Sequence, residues 1–274
     1  MTKVTAIIPS LYEKDHEYVE LCVRSLRDTT DWDITVVTNG TPTPLPFPKG
    51  LPCRRLHTRD QGQCNAVNIG ASVVSPTTDY LFIVNSDMYF APGWNKYLQF
   101  NHLVFSPNLI EPIDNLGSAP PFLKADGGYT LEKFDKHLVD NAVTKYTSEL
   151  VGKTEPGFNL PFFIRKDVWQ TIGGYDVKYD PWGSNSDTDL QTLIEVAGVR
   201  PVRLRDVLVY HFSNKSGTFD GTHQAEWQRN FDYYRSKLGY TRDDEPKGDP
   251  WYATNMVNKD KLIFHPSWEN KFSE

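Results

Sequence analysis

Residues 4–9, VTAIIP, are an unbroken apolar and β-branched run closed by a proline. Such a run suits a strand buried on both faces, as in a parallel sheet. Next, YVELCVRSLRD (18–28) spaces Val19, Cys22, Val23 and Leu26 at the period of an amphipathic helix. WDITVVTNG (32–40) repeats the strand pattern and ends in a turn signal, QCNAVNIGASVV (63–74) predicts a second helix, and DYLFIVNSD (79–87) a third strand. Strand, helix, strand, helix, strand is the order of a parallel α/β sheet, which binds ligands at the carboxyl ends of its strands. TPTPLPFPKGLP (41–52) holds five prolines and is expected to be a connecting loop.

From residue 101 to 158 the pattern is less regular. Within it TLEKFDKHLVDNAVTKYTSEL (130–150) carries a helical stripe of Leu131, Phe134, Leu138 and Ala142. FNLPFFIRKDVWQTIGGYD (158–176) predicts a strand, a short helix and a Gly-Gly turn, and VLVYHFSNKSGT (207–218) an apolar strand ending on His211. HQAEWQRNFDYYRSKLGY (223–240) places Trp227, Phe231, Tyr234 and Leu238 on one helical face, the pattern of a core-packing stripe. Beyond Asp243, charge, proline and glycine predict a tail draped over the domain.

Composition narrows the classes. The 274 residues carry 23% charged and 13% aromatic side chains, an ordinary globular balance without a disorder signature. A net charge of −6 and the lack of a long basic run weigh against non-specific nucleic-acid or anionic-membrane binding. Cys22, Cys53 and Cys64 have no C-x-x-C spacing, so neither a disulfide framework nor a structural zinc site is expected. No apolar run reaches membrane-spanning length, and a cytoplasmic protein is expected.

Three clusters can carry chemistry. IVNSDMYF (83–90) ends a strand in Asn85, Ser86 and Asp87, and one strand-end carboxylate suits a hard cation that arrives with a diphosphate. An aspartate capping a turn would look the same. YDPWGSNSDTDLQTLIEVAG (179–198) sets Asp187 and Asp189 near a helix start, where carboxylates cap free N–H groups and one could serve as a general base. His211 closes a predicted strand, as an ordinary hydrogen-bonded histidine or as a ligand for Mn²⁺ or Zn²⁺.

Taken in order, these pieces over residues 3–215 resemble the GT-A nucleotide-sugar glycosyltransferases, family 2 most closely. VTAIIPSLY resembles that family's opening strand, with Leu11-Tyr12 where Tyr-Asn is usual. ITVVTNGT resembles its second strand, with Thr38 in place of the aspartate that often holds the nucleobase. QGQCNAVNIGA is similar to the Gly-x-x-x-Ala-x-Asn-x-Gly helix start. FIVNSDMYFAPGW resembles the D-x-D strand end, with Asn85 for its first aspartate, and IGGYDVKYDPWGSNSDTDLQTLIEVAG resembles the acceptor-side segment, with Ser186 for the glutamate of its Glu-Asp pair.

The resemblance implies an α/β GT-A fold, Rossmann-like and mostly parallel, over residues 1–220. Residues 1–100 would bind the nucleotide-sugar, 101–220 the acceptor, and 221–274 would pack on the domain as a helix and tail. It implies inverting transfer from a nucleoside-diphosphate sugar, a UDP-sugar foremost, to an acceptor hydroxyl. Ser10, Tyr12, Asn39, Gln61, Ser86 and Asp87 would hold the donor, and Asp87 with His211 a Mn²⁺ or Mg²⁺ ion. Asp187 would be the base, with Trp182, Gly183 and Asp189 on the acceptor side. The acceptor is open between a saccharide, a protein and a modified nucleic-acid base. Two rivals follow. Thr38, Asn85 and Ser186, standing where the family has acids, suit a degenerate domain that binds without turnover. A sugar nucleotidyltransferase would need a Gly-rich loop after the first strand, and SLYEKDHEY has no glycine.

Overall fold

The computed structural model describes residues 2–113, 122–213, 215 and 222–238. The expected tail beyond residue 243 lies outside the described residues.

The first half alternates as its periodicity demands: β1 (Val4–Ser10), α1 (Tyr12–Thr29), β2 (Asp33–Thr38), β3 (Arg54–His57), α2 (Gln63–Ser72) and β4 (Tyr80–Ile83). Two-residue β5 (Met88–Tyr89) and long β6 (Val104–Pro112) lead to β7 (Leu123–Ala125), α3 (Lys136–Glu149), β8 (Thr154–Pro156), β9 (Phe162–Arg165) and α4 (Lys166–Ile172). α5 (Ser186–Val196), β10 (Val202–His211) and α6 (Gln224–Leu238) complete the order. Among the described residues ten strands form one sheet in the order β3-β2-β1-β4-β9-β6-β10-β5, with β7 on β6 and β8 on β10.

β3, β2, β1 and β4 run parallel, as expected for the first half. β9 is antiparallel to both β4 and β6, so the sheet as a whole is mixed. Both faces are covered. Val4, Ala6 and Ile8 of β1 join Val19, Cys22 and Leu26 of α1 and Val139 of α3 in one core. Ile7 faces the other way, into a second core with Val67 of α2, Val168 of α4 and Leu193 of α5. This is the period of two that a strand buried on both faces imposes. Across β4, β9 and β6, Phe82, Phe163 and Phe105 pair in register and stack, with centroids 4.0 and 4.7 Å apart.

Two strands escaped the periodicity. β3 is four residues, three of them Arg or His. β6 is wholly buried yet contains Ser106, Pro107, Asn108 and Glu111. Some of its polar groups are met: the Ser106 hydroxyl donates to Asn159 O at 2.9 Å and Leu109 N donates to Asn108 Oδ1 at 3.0 Å, whereas Asn108 Nδ2 makes no hydrogen bond among the described residues. Pro107, which has no N–H for a ladder, sits where the β6–β10 register breaks.

Two helical stripes need correction. Leu131, Phe134 and Ala142 pack half-buried on the first core as expected, but Leu138 is 46% exposed, and Val139, Val143 and Thr147 are the buried positions of α3. A break resets the phase: Asp135 caps α3 by accepting from Leu138 N at 3.0 Å, which separates it from the short turn at Leu131–Lys133. α6 seats largely on polar groups: of its expected stripe Tyr234 packs on the second core, Trp227 and Phe231 are half-buried, and the side chain of Leu238 lies outside the described residues. Among the described residues its most buried side chains are Asn230 and Lys237, with Tyr233 and Tyr234 packed beside them. Asn230 Nδ2 donates to Tyr179 O at 2.8 Å, and Lys237 Nζ reaches Asp176 and Asp189 at 2.9 and 2.8 Å. No helix among the described residues is long and apolar enough to cross a membrane. All three cysteines are free thiols.

Candidate active site

At the carboxyl ends of β1, β2 and β4 lies a cleft of about 170 Å³. Ser10, Asn39, Ser86, Asp87, Trp182, Gly183, Asp187 and His211 line it, eight of the eleven residues the sequence singled out. Tyr12, Gln61 and Asp189 are not among its lining residues.

After β4 the chain crosses the sheet end through Asn85, Ser86 and Asp87 into β5. Met88 then pairs antiparallel with His211, and Phe212 N donates to Asp87 O at 3.0 Å. That pairing puts Asp87 Oδ1 at 3.4 Å from His211 Nε2, while Lys215 N donates to Asp87 Oδ2 at 3.2 Å. Burial alone raises the Asp87 carboxyl, but His211 and the Lys215 N–H outweigh it and hold the group below its ordinary value. Burial lowers His211, and the carboxylates of Asp87 and Glu111 outweigh that and push it up to about 10.

Across the cleft, Asp187 stands in the first turn of α5. The Tyr175 hydroxyl donates to its Oδ1 at 2.7 Å. Burial pushes the Asp187 carboxyl up to about 6 against that hydrogen bond, a value suited to taking a proton near neutrality. Ser186 does not replace the missing acid, since its hydroxyl donates to Gly183 O at 2.5 Å. Trp182 is stacked on His223, centroids 3.5 Å apart, so one ring face is already covered.

The three residues outside the lining have clear occupations. Tyr12 turns its ring to Phe47, 5.0 Å between centroids, with the Arg55 guanidinium 5.9 Å away. Gln61 lies against Gly40, its neighbours Gly62 and Gln63 reaching the cleft instead. Asp189 is 1% exposed and pairs with Lys237 of α6, away from any acceptor role.

Sequence reasoning missed four residues. Asp15, 1% exposed, accepts from the hydroxyls of Ser10 at 2.7 Å and Ser86 at 2.5 Å, and so ties β1 to the Asp87 loop. Its signal was an acid in helical phase with Val19, Cys22 and Leu26. Glu111 Oε1 lies 3.1 Å from His211 Nδ1, and its signal was a lone acid inside the apolar run of β6. Asp180 accepts from Cys64 N at 3.1 Å and Asn65 N at 2.9 Å, clamping the second half of the chain onto the start of α2. Gln63 lines the cleft with a buried amide nitrogen that makes no hydrogen bond among the described residues. Neither of these last two has a local signal.

Among the described residues, no three His, Cys, Asp or Glu side chains gather as a metal cage. A cation here would take only Asp87 and His211 from the protein. One carboxylate and one imidazole, 3.4 Å apart and both facing the cleft, suit a cation whose remaining positions go to phosphate and water.

The fold is that of the GT-A glycosyltransferases. The chain superposes on residues 1–349 of TarS from S. aureus with a TM-score of 0.52 and 12% identity, covering 89% of this chain and 74% of that one. A longer TarS structure agrees, with a TM-score of 0.52 and 10% identity over 88% of this chain and 40% of that one. GalNAc-T7, crystallised with UDP, GalNAc and Mn²⁺, matches at a TM-score of 0.49 and 13% identity over 98% of this chain and 56% of that one. That likeness is too loose to bear on this chain's ligands. In sequence, 94 residues are 29% identical to the O-antigen biosynthesis protein RfbC of Myxococcus xanthus, which is 34% of this chain and 7% of RfbC. No protein-family model matches the chain.

Proposed function

We propose that the chain is a glycosyltransferase of family 2 that moves a sugar from a nucleoside-diphosphate sugar, a UDP-sugar foremost, to an acceptor hydroxyl. One observation carries the reading. The Asp87–His211 pair and Asp187 line a single cleft at the strand ends of a GT-A sheet. The stretch shared with an O-antigen biosynthesis protein favours a saccharide over a protein or a nucleic-acid base as acceptor.

Asp87 Oδ1 and His211 Nε2 would hold Mn²⁺ or Mg²⁺, and that cation, when bound, supplies Lewis-acid stabilisation of the leaving diphosphate. Asp187 takes the proton of the acceptor hydroxyl as its oxygen attacks the anomeric carbon from the face opposite the diphosphate. The bond from that carbon to phosphate oxygen breaks, and configuration inverts. Tyr175 orients the Asp187 carboxylate. Ser10 and Ser86 spend their hydroxyl hydrogens on Asp15, so they offer only lone pairs to the cleft. They therefore suit the hydroxyls of a ribose or sugar, not a phosphate. Asn39 is held by Ser10 O and Gly62 N, at 2.9 and 3.0 Å, and shapes the pocket floor. Gln63 has an amide hydrogen to give to a substrate oxygen, and Trp182 and Gly183 border the acceptor side.

A second reading has support of its own. Thr38, which replaces a base-binding aspartate, spends its hydroxyl on Leu56 O at 3.1 Å, and Ser186 spends its own on Gly183 O. These suit a domain that binds a nucleotide or glycan without turnover. The deciding experiment is calorimetry and thermal shift with UDP-, GDP-, CMP- and dTDP-sugars, with and without Mn²⁺, on wild type and Asp87→Ala. The expected result is one donor whose binding needs both Mn²⁺ and Asp87. That donor should then be turned over by wild type, and by Asp187→Asn orders of magnitude more slowly with binding retained. Binding without turnover by wild type establishes the second reading. Binding of no donor removes the transferase reading and leaves a glycan-binding domain without turnover as the surviving one.

A further inference from the structure

We propose that Glu111 is a positioning residue that holds the His211 imidazole with Nδ1 protonated, leaving the Nε2 lone pair beside Asp87 as the cation-binding atom. The inference rests on the cation reading above and concerns how this chain prepares its nitrogen donor.

The geometry makes the assignment. Glu111 is 4% exposed, and its Oε1 lies 3.1 Å from Nδ1 while Nε2 faces Asp87 Oδ1 at 3.4 Å. An ionised carboxylate can only accept, so the nitrogen facing Glu111 carries a hydrogen. Asp87 would hold a hydrogen on Nε2 in the same way, so the Nε2 lone pair is freed only where a cation replaces that hydrogen, while Glu111 keeps the one on Nδ1. Lys124 Nζ lies 3.8 Å from Glu111 Oε2.

The backbone is arranged to bring the two residues together. β6 and β10 begin with Val202 opposite Phe105 and resume, past the irregularity, with Leu208 opposite Asn108. The pairing offset thus grows from 97 to 100 residues, and Tyr210 falls opposite Ile110. His211 and Glu111, next along each strand, become neighbours. Without the irregularity His211 would meet the chain three residues further on. β7 then places Lys124 opposite Glu111 in parallel register. A bulge that re-aims a side chain beside a site is a recurrent device, and outer carboxylates of this kind fix the tautomer and basicity of metal-binding histidines.

The test is a Mn²⁺ titration followed by electron paramagnetic resonance on the full chain, for wild type, Glu111→Gln, His211→Ala and the double variant. Loss of such an outer carboxylate should weaken Mn²⁺ by roughly 10–100-fold. The same change in the His211→Ala background should cost nothing further, because the effect runs through the imidazole. Unchanged affinity in Glu111→Gln overturns the proposal, and so does an equal loss in both backgrounds. Long-range ¹⁵N–¹H spectra of Mg²⁺-loaded wild type need no variant to fold. They should place the single His211 proton on Nδ1, and a proton on Nε2 overturns the assignment. If wild type binds no Mn²⁺ either alone or with UDP present, and Asp87→Ala is indistinguishable from it, the cation reading has failed and this inference falls with it. Failure of Glu111→Gln alone leaves that reading standing.

Discussion

Tyr175→Phe should move the titration of Asp187 and little else. The Tyr175 hydroxyl donates to Asp187 Oδ1 at 2.7 Å, and burial keeps the phenol pKa well above its ordinary value, so it stays a donor. The backbone around it is pinned separately: Asn68 Nδ2 donates to Tyr175 O at 2.8 Å and Tyr175 N to Asn68 Oδ1 at 3.0 Å. Phenylalanine keeps the edge contact with Trp169, so the ring should stay in place. A hydrogen bond to a charged acceptor is worth about 1.5–3 kcal/mol. Losing it disfavours the ionised form, which at about 1.4 kcal/mol per pKa unit raises the midpoint by about 1–2 units. Asp187 should therefore titrate between about 7 and 8 instead of about 6. The assay is ¹³C NMR of carboxyl-labelled aspartate, the Asp187 signal being the one lost in Asp187→Asn. Once a donor and acceptor are in hand, the acid limb of kcat/KM should shift by the same amount while the high-pH plateau holds. A midpoint that stays within half a unit of wild type, or falls, refutes this account of Asp187.

Other outcomes follow from the same contacts. Lys237→Met strips the buried partner from Asp189 and should cost about 3–5 kcal/mol in urea unfolding, partly restored by adding Asp189→Asn; a loss below about 1 kcal/mol would mean the pair does not anchor α6. In metal-free protein, thermal stability should fall from pH 5 to pH 8. Asp15, Asp187 and Asp189 are raised from 3.8 to about 6 by burial, so their contribution is full below 3.8 and lost as pH rises through about 6. His211, raised from 6.5 to about 10, adds stability that is full below 6.5 and lost towards 10. A melting temperature higher at pH 8 than at pH 5 would contradict these assignments. Gly62→Ala places a Cβ 2.0 Å from Asp180 Cγ at a φ of 149°, so the clamp on α2 must shift; backbone strain alone should cost about 1–3 kcal/mol, and an unchanged denaturation midpoint would remove Asp180 as that clamp.

The local periods were legible in the chain itself. VTAIIP, DITVV and YLFI announce β1, β2 and β4 because a strand buried on both faces must be apolar throughout. Val19, Cys22 and Leu26 announce α1 because only one helical stripe meets the sheet. Asp87, Asp187 and His211 could be singled out because each stands at the end of an element, where side chains leave the core. Non-local pairing decided the rest. Two residues of β5 on β10 bring Asp87 to His211, and a register break near Pro107 brings Glu111 to the other side of the same ring. Asp189, two residues past Asp187 and of the same type, is drawn into the α6 seat by Lys237. Asp15 reads as a first-turn acid until Ser10 and Ser86 converge on it. Periodicity is a property of neighbours along the chain, and so it can be read from the chain. Register and convergence depend on which groups find each other across separations of 48, 71, 100 or 128 residues, and only the folded sheet determines that.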